Sequence, residues 1–163
     1  MSNAERRKLP GGTKELFASF LKEPSRENFR KFFTESLGES RDLDYKREWP
    51  KGPILARHLL GIGNTGPGCL IVGVEENKNG TAEPVGLDEL TDKMKVIDGL
   101  KNFIPDALRD RISIHDLDFG ASEYEKLQGK LFQIVIVDFS VEHIHSWREK
   151  PARGYAKELY TSE

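Results

Sequence analysis

Apolar positions in the first part of the chain recur at helical intervals. Leu16, Phe17, Phe20 and Leu21 fall at i, i+1, i+4 and i+5, after a break at Gly11-Gly12 and with Thr13 as candidate N-cap. Pro24-Ser25 interrupts this pattern. Phe29, Phe32, Phe33 and Leu37 then draw a second stripe, with Ser25 as cap and Gly38 as terminator. Two helices this short cannot bury their stripes on each other alone, so both must dock on the remainder of the chain.

From Glu39 the period changes. Leu43 and Tyr45 alternate with Asp44 and Lys46, which predicts a short strand with one apolar and one charged face. After Pro50–Pro53, the spacing of Ile54, Leu55, Leu59 and Ile62 predicts a helix that ends in the glycines of 61–68. Cys69-Leu70-Ile71-Val72-Gly73-Val74 reads as one central strand covered on both faces. Asn77–Gly80 is a turn, and Leu87, Leu90, Met94, Ile97 and Ile104 keep helical spacing up to Pro105. Ile112, Ile114, Leu117 and Phe119 predict a strand, and Leu131–Val137 a buried one; the segment from Ser140 is polar and weakly patterned. This order predicts an α+β fold: a mixed sheet of about four to six strands with helices packed mainly on one face, preceded by two short N-terminal helices. The expected organisation is a disordered or tag-derived start over 1–12 (Ser2-Asn3-Ala4 looks like a cloning remnant), a helical appendage over 13–37 and one domain over 38–163.

Composition narrows the function classes. Of 163 residues, 37% are hydrophobic and 32% charged, with a mean hydropathy of −0.57. No run approaches the ~18 apolar residues of a membrane span, so an integral membrane protein is not expected. Cys69 is the sole cysteine, which leaves no intrachain disulfide and no cysteine-based zinc site, and makes a cytoplasmic location the expectation. The net charge of −2 is uneven: residues 1–38 carry eight Lys+Arg and five Asp+Glu, against 17 and 22 in the remainder. A polyanionic partner must therefore meet a local patch rather than the overall field.

Several motifs carry candidate chemistry. Gly61-Ile62-Gly63-Asn64-Thr65-Gly66 matches a dinucleotide-loop pattern in letters only. Such a loop leaves a strand and opens a helix, whereas these glycines close a helix with its carbonyl end and open a strand. They read as a C-cap. Asp44 and Lys46, two apart on a strand, share one face. Asp-x-Lys on a strand is half of a metal-dependent nuclease arrangement, in which the carboxylate holds Mg²⁺ or Mn²⁺ and the ammonium orients water or offsets charge. A further carboxylate is needed, and Glu75, Glu76 and Glu39 are the candidates; Glu39 lies about 16 Å from Asp44 if the chain between them is extended, so it joins only through a turn. The competing reading is a set of solvated acids at strand ends, with Lys46 simply pairing to Asp44. His143-x-His145 reads as two metal ligands on one strand face or as two surface imidazoles. Trp147, Arg148, Lys150, Arg153, Tyr155, Lys157 and Tyr160 interleave cations with aromatics, which suits single-stranded nucleic acid and equally suits an amphipathic edge segment.

At Glu39-Ser40-Arg41-Asp42-Leu43-Asp44-Tyr45-Lys46 the chain resembles the Schlafen-type AlbA-2 domain family. The resemblance runs on through Asn64-Thr65 and its glycines, Leu70–Glu76 and Val85-Gly86, and covers roughly residues 36–160 in the family's order. It implies an α+β nucleic-acid-binding module, for DNA or RNA, within a larger regulatory or defence protein. As an alternative it implies a metal-dependent endoribonuclease acting on structured RNA such as tRNA; the net charge of −2 leaves open a fold kept for oligomerisation or sensing without nucleic acid. The family carboxylates fall on Glu39, Asp44 and Glu76, which would hold Mg²⁺ or Mn²⁺ with Lys46 beside them; all-oxygen donors favour these ions over zinc. Arg41, Arg47, Lys51 and Arg57 would supply phosphate contacts, with Arg148, Lys150 and Arg153 from the C-terminal segment. A homodimer would rebuild the two-lobed cradle of paired Schlafen domains. The sequence departs from the family where Asp44 shortens a glutamate, where Pro67 replaces a glycine, and where Leu159-Tyr160-Thr161-Ser162 lacks an arginine.

Overall fold

A computed structural model describes residues 10–35, 43–120 and 124–139. Two helices, α1 (Pro10–Lys22) and α2 (Arg26–Glu35), precede strand β1 (Leu43–Lys46), helix α3 (Gly52–Gly63) and strand β2 (Gly68–Val72). A hairpin of β3 (Val74–Glu76) and β4 (Ala82–Pro84) comes next. Then come α4 (Lys93–Gly99), α5 (Asp106–Arg109), β5 (Ile112–Asp118) and β6 (Leu131–Val137). The main sheet is mixed, in the order β1-β2-β6-β5, with β1 parallel to β2 and the other pairs antiparallel; β3 and β4 form a second, two-stranded sheet. The fold is α+β, as the pattern predicts.

Strand alternation distributes the core over both faces of the main sheet. Leu70, Val72, Val135 and Val137 join Leu55, Ala56, Leu59, Leu60 and Ile62 of α3 and Leu100, Ile104 and Leu108 on one face. Leu43, Tyr45, Cys69, Ile71, Ile134 and Ile136 meet Phe20, Phe29 and Phe32 of α1 and α2 on the other. The helices that come after β1 thus share one face, and the N-terminal pair covers the opposite one. Ser25 caps α2 as expected, its Oγ accepting the Asn28 N–H at 3.1 Å. Among the described residues no helix is long and apolar enough to cross a membrane.

Three expected boundaries differ. Helix α1 begins at Pro10, so Gly11, Gly12 and Thr13 lie inside its first turn, and Thr13 is not its N-cap. Proline is preorganised for a first helical position, and first-turn N–H groups lack helical partners anyway. The run Cys69–Val74 is not one strand, because Gly73 turns at φ +110° and sends Val74 into the second sheet. A β-carbon there would stand 2.8 Å from the Phe132 ring. The helix expected from Leu87 is only α4. Both backbone groups of Thr91 are taken by the Gln133 amide, at 2.9 and 2.8 Å, and Asp92 caps the helix by accepting the Met94 N–H at 2.9 Å. Leu87 instead bridges to Leu131 beside β6.

Candidate functional site

The parallel pairing of β1 and β2 needs a crossover, and α3 supplies it, lying over the face of β1 that carries Asp44 and Lys46. Leu43 and Tyr45 point the other way into the aromatic core, where Tyr45 meets Phe33 edge-on at 6.4 Å between ring centroids. The expected shared face of Asp44 and Lys46 is therefore present. Lys46 Nζ lies 3.3 Å from Asp44 Oδ2.

The same oxygen lies 3.3 Å from His58 Nδ1, on α3. The three side chains are 17% (Asp44), 29% (Lys46) and 34% (His58) exposed, so the cluster opens to solvent from one side. Burial, reinforced by the Lys46 charge, lowers the His58 pKa from the ordinary 6.5, against an opposing pull from Asp44. These effects favour the neutral form of the His58 imidazole, next to a carboxylate and an ammonium. Nothing in the local sequence spacing joins it to Asp44. Only the crossover does, and a polar residue between the core positions Leu55 and Leu59 was the signal available.

The other expected residues divide. Arg47 pairs with Glu75 at 3.2 Å, each about half exposed, which anchors the end of β1 to the β3–β4 hairpin. Lys51 and Arg57 are exposed near the start and middle of α3, and the charge of Arg57 also acts on His58. Glu76 is exposed on β3, opposite Ala82, in the second sheet. Glu39, Arg41, His143, His145, Arg148, Lys150 and Arg153 lie outside the described residues. Among the described residues no group of three or more His, Cys, Asp or Glu side chains is placed to hold a metal ion.

A second polar cluster lies under the loop that leads into α4. Gln133 is fully buried on β6. Its Oε1 accepts from Trp49 Nε1 at 2.8 Å and from the Thr91 N–H at 2.9 Å. Its Nε2 donates to the Thr91 carbonyl at 2.8 Å and to Asp116 Oδ1 at 2.9 Å. Every hydrogen-bonding position of the amide is filled, which fixes its orientation and marks it as architecture rather than chemistry.

A scan against protein-family models, a search of curated proteins and a search of solved structures each return no match to this chain. The functional reading therefore rests on the residues themselves.

Proposed function

We propose that this chain is a nucleic-acid-binding module of the Schlafen AlbA-2 kind, engaging the phosphate backbone at the Asp44–Lys46–His58 cluster. The observation that carries the reading is the convergence of an ammonium and an imidazole on one carboxylate oxygen, 3.3 Å from each, in a cluster open to solvent from one side. Both groups already face a single anionic oxygen, as they would face a phosphate oxygen, and Asp44 offsets the Lys46 charge in the free protein. Arg57 on α3 and Lys51 just before it add exposed cations, and Arg47 follows β1, paired with Glu75. Lys51 and Arg57 supply positive charge locally, although the chain as a whole carries −2.

Fluorescence polarisation with tRNA, single-stranded DNA and duplex DNA tests this. Binding is expected at about 50 mM salt and should fall steeply as salt rises. Absence of binding to all three polymers, or binding indifferent to salt, overturns the reading.

The shared face of Asp44 and Lys46 favours one second reading, metal-dependent cleavage of structured RNA. Asp44 Oδ1 would be the ligand oxygen, since Oδ2 already has two partners, and Lys46 would offset charge on the reacting phosphate. A bound divalent ion would supply an activated water. This reading requires Glu39 and Glu76 to complete the oxygen ligands. Cleavage of tRNA in Mn²⁺, lost in EDTA and lost in Asp44→Asn, is its test; equal cleavage by both proteins means a contaminant.

A further inference from the structure

The β3–β4 hairpin ends in a turn whose chemistry is separate from the cluster above. Asn79 Oδ1 accepts two hydrogen bonds from one residue: the Thr81 N–H at 3.1 Å and the Thr81 hydroxyl at 2.6 Å. Asn77 Nδ2 in turn donates to Thr81 Oγ1 at 3.0 Å, which leaves the hydroxyl hydrogen directed at Asn79. A side-chain oxygen bonded to the N–H two residues on folds its carbonyl back toward the intervening backbone nitrogen. That nitrogen belongs to Gly80, at φ +81°, and the position a β-carbon would take there is open space. Asn79 is the only one of the chain's asparagines followed by glycine; Asn3, Asn28, Asn64, Asn77 and Asn102 all precede residues that carry a β-carbon.

We propose that Asn79 is a site of spontaneous modification, losing its side-chain amide through a cyclic imide formed with the Gly80 nitrogen. In the first step the Gly80 nitrogen attacks Asn79 Cγ, a C–N bond forms, and negative charge gathers on Oδ1. The two Thr81 donors already face that oxygen and stabilise the charge. The bond from Cγ to Nδ2 then breaks, and the leaving nitrogen departs as ammonia with the proton released from Gly80. Water next adds to one of the two imide carbonyls and opens the ring. Opening at the side-chain carbonyl gives an aspartyl residue, and opening at the main-chain carbonyl gives an isoaspartyl residue. The net change is one water consumed and one ammonia released, with no oxidation.

Two features set the rate. Gly80 lacks the β-carbon that would crowd its nitrogen against the approaching carbonyl. Its N–H donates to the Asn77 carbonyl at 2.9 Å, and this bond must open first, at an exposed turn where water replaces it readily. Conversion adds a carboxylate to a hairpin that already carries Glu75, Glu76 and Glu83. The isoaspartyl form also lengthens the main chain inside the turn closed by Asn77 N–H to the Thr81 carbonyl at 2.7 Å.

The test is to incubate the full chain in mildly alkaline buffer and map tryptic peptides by mass spectrometry against a zero-time digest. The peptide spanning 79–93 should exchange NH for O ahead of every other asparagine peptide, and split into two species of equal mass, one a substrate for isoaspartyl methyltransferase. Gly80→Ala should slow this about tenfold by crowding the nitrogen. Thr81→Val, which keeps the backbone donor and loses the hydroxyl, should slow it about threefold. Persistence of Asn79 while Asn64 or Asn102 converts overturns the proposal, as does an unchanged rate in Gly80→Ala. A faster rate in Thr81→Val overturns the activating role of the Thr81 bonds, since they would then be restraints.

Discussion

Asp44 lies between Lys46 and His58, the place that the proposed nucleic-acid binding would give to a phosphate oxygen. Replacing it by asparagine keeps the shape and removes the charge, so Lys46 and His58 are released to an incoming strand. Asp44→Asn is expected to raise oligonucleotide affinity about threefold, the scale of a partly exposed ion pair, as read by polarisation at fixed salt. Lys46→Ala should act oppositely and lower the slope of log affinity against log salt by about one. A second single-residue effect concerns His115 on β5, whose Nε2 lies 3.0 Å from Ser113 Oγ. Burial, then the Lys93 charge, lowers its pKa from the ordinary 6.5, with Asp116 opposing. A histidine whose pKa is lowered on folding takes up its proton more readily in the unfolded chain. Its neutral form therefore favours the folded state at neutral pH, and stability declines as the pH falls below 6.5. Denaturant midpoints should drop across that range in the wild type and drop less in His115→Gln.

At the scale of elements, helix α3 provides a matched pair of substitutions. A β-carbon at Gly63 would stand 2.0 Å from the Phe139 ring, while one at Gly61 would meet nothing within 4 Å. Gly63→Ala is thus expected to cost about 1–3 kcal/mol through overpacking, and Gly61→Ala to stabilise by up to about 1 kcal/mol through helix propensity, both read from urea denaturation. The difference was not legible in sequence, where the two glycines form one terminal motif. Short-range period accounts for the legible part. The alternation Leu43-Asp44-Tyr45-Lys46 predicts both the strand and its charged face, and the buried run Leu131–Val137 predicts β6. The failures depended on distant partners. Gly73 reads as an interior strand residue until Phe132 is known to press on it. The 87–104 segment keeps helical spacing, yet Gln133, some forty residues on, takes the backbone of Thr91 and delays α4. Likewise Asp44 and Lys46 could be joined by counting two along a strand, but His58 reaches them only through the crossover. Gln133→Leu should confirm the weight of the distant partner, costing about 3 kcal/mol by stranding Trp49, both Thr91 backbone groups and Asp116.

At the scale of the molecule, the four-stranded sheet is buried on both faces, and this decides what the N-terminal helices are for. Phe20 and Phe29 are 0% exposed and Phe32 is 2% exposed; Phe20 stacks on Phe32 and packs at a tilt against Phe29, and Phe29 in turn meets Phe119 and Phe132 of the sheet layer. Cys69, Ile71, Ile134 and Ile136 lie beneath them. In their absence the strands would present a contiguous apolar face to water. Three buried phenylalanines contribute on the order of 1.5–3 kcal/mol each, which together is comparable with the whole stability of a domain this size, about 5–15 kcal/mol. A chain truncated before Glu39 keeps Asp44, Lys46 and His58, the whole described cluster, yet is expected to lose its cooperative thermal transition and to bind a hydrophobic dye. A milder variant, Phe29→Ala, should retain a transition, lowered by about 3–5 kcal/mol. A truncated chain that melts cooperatively near the wild-type temperature would show instead that α1 and α2 are an appendage, and that the face under them is covered by other means.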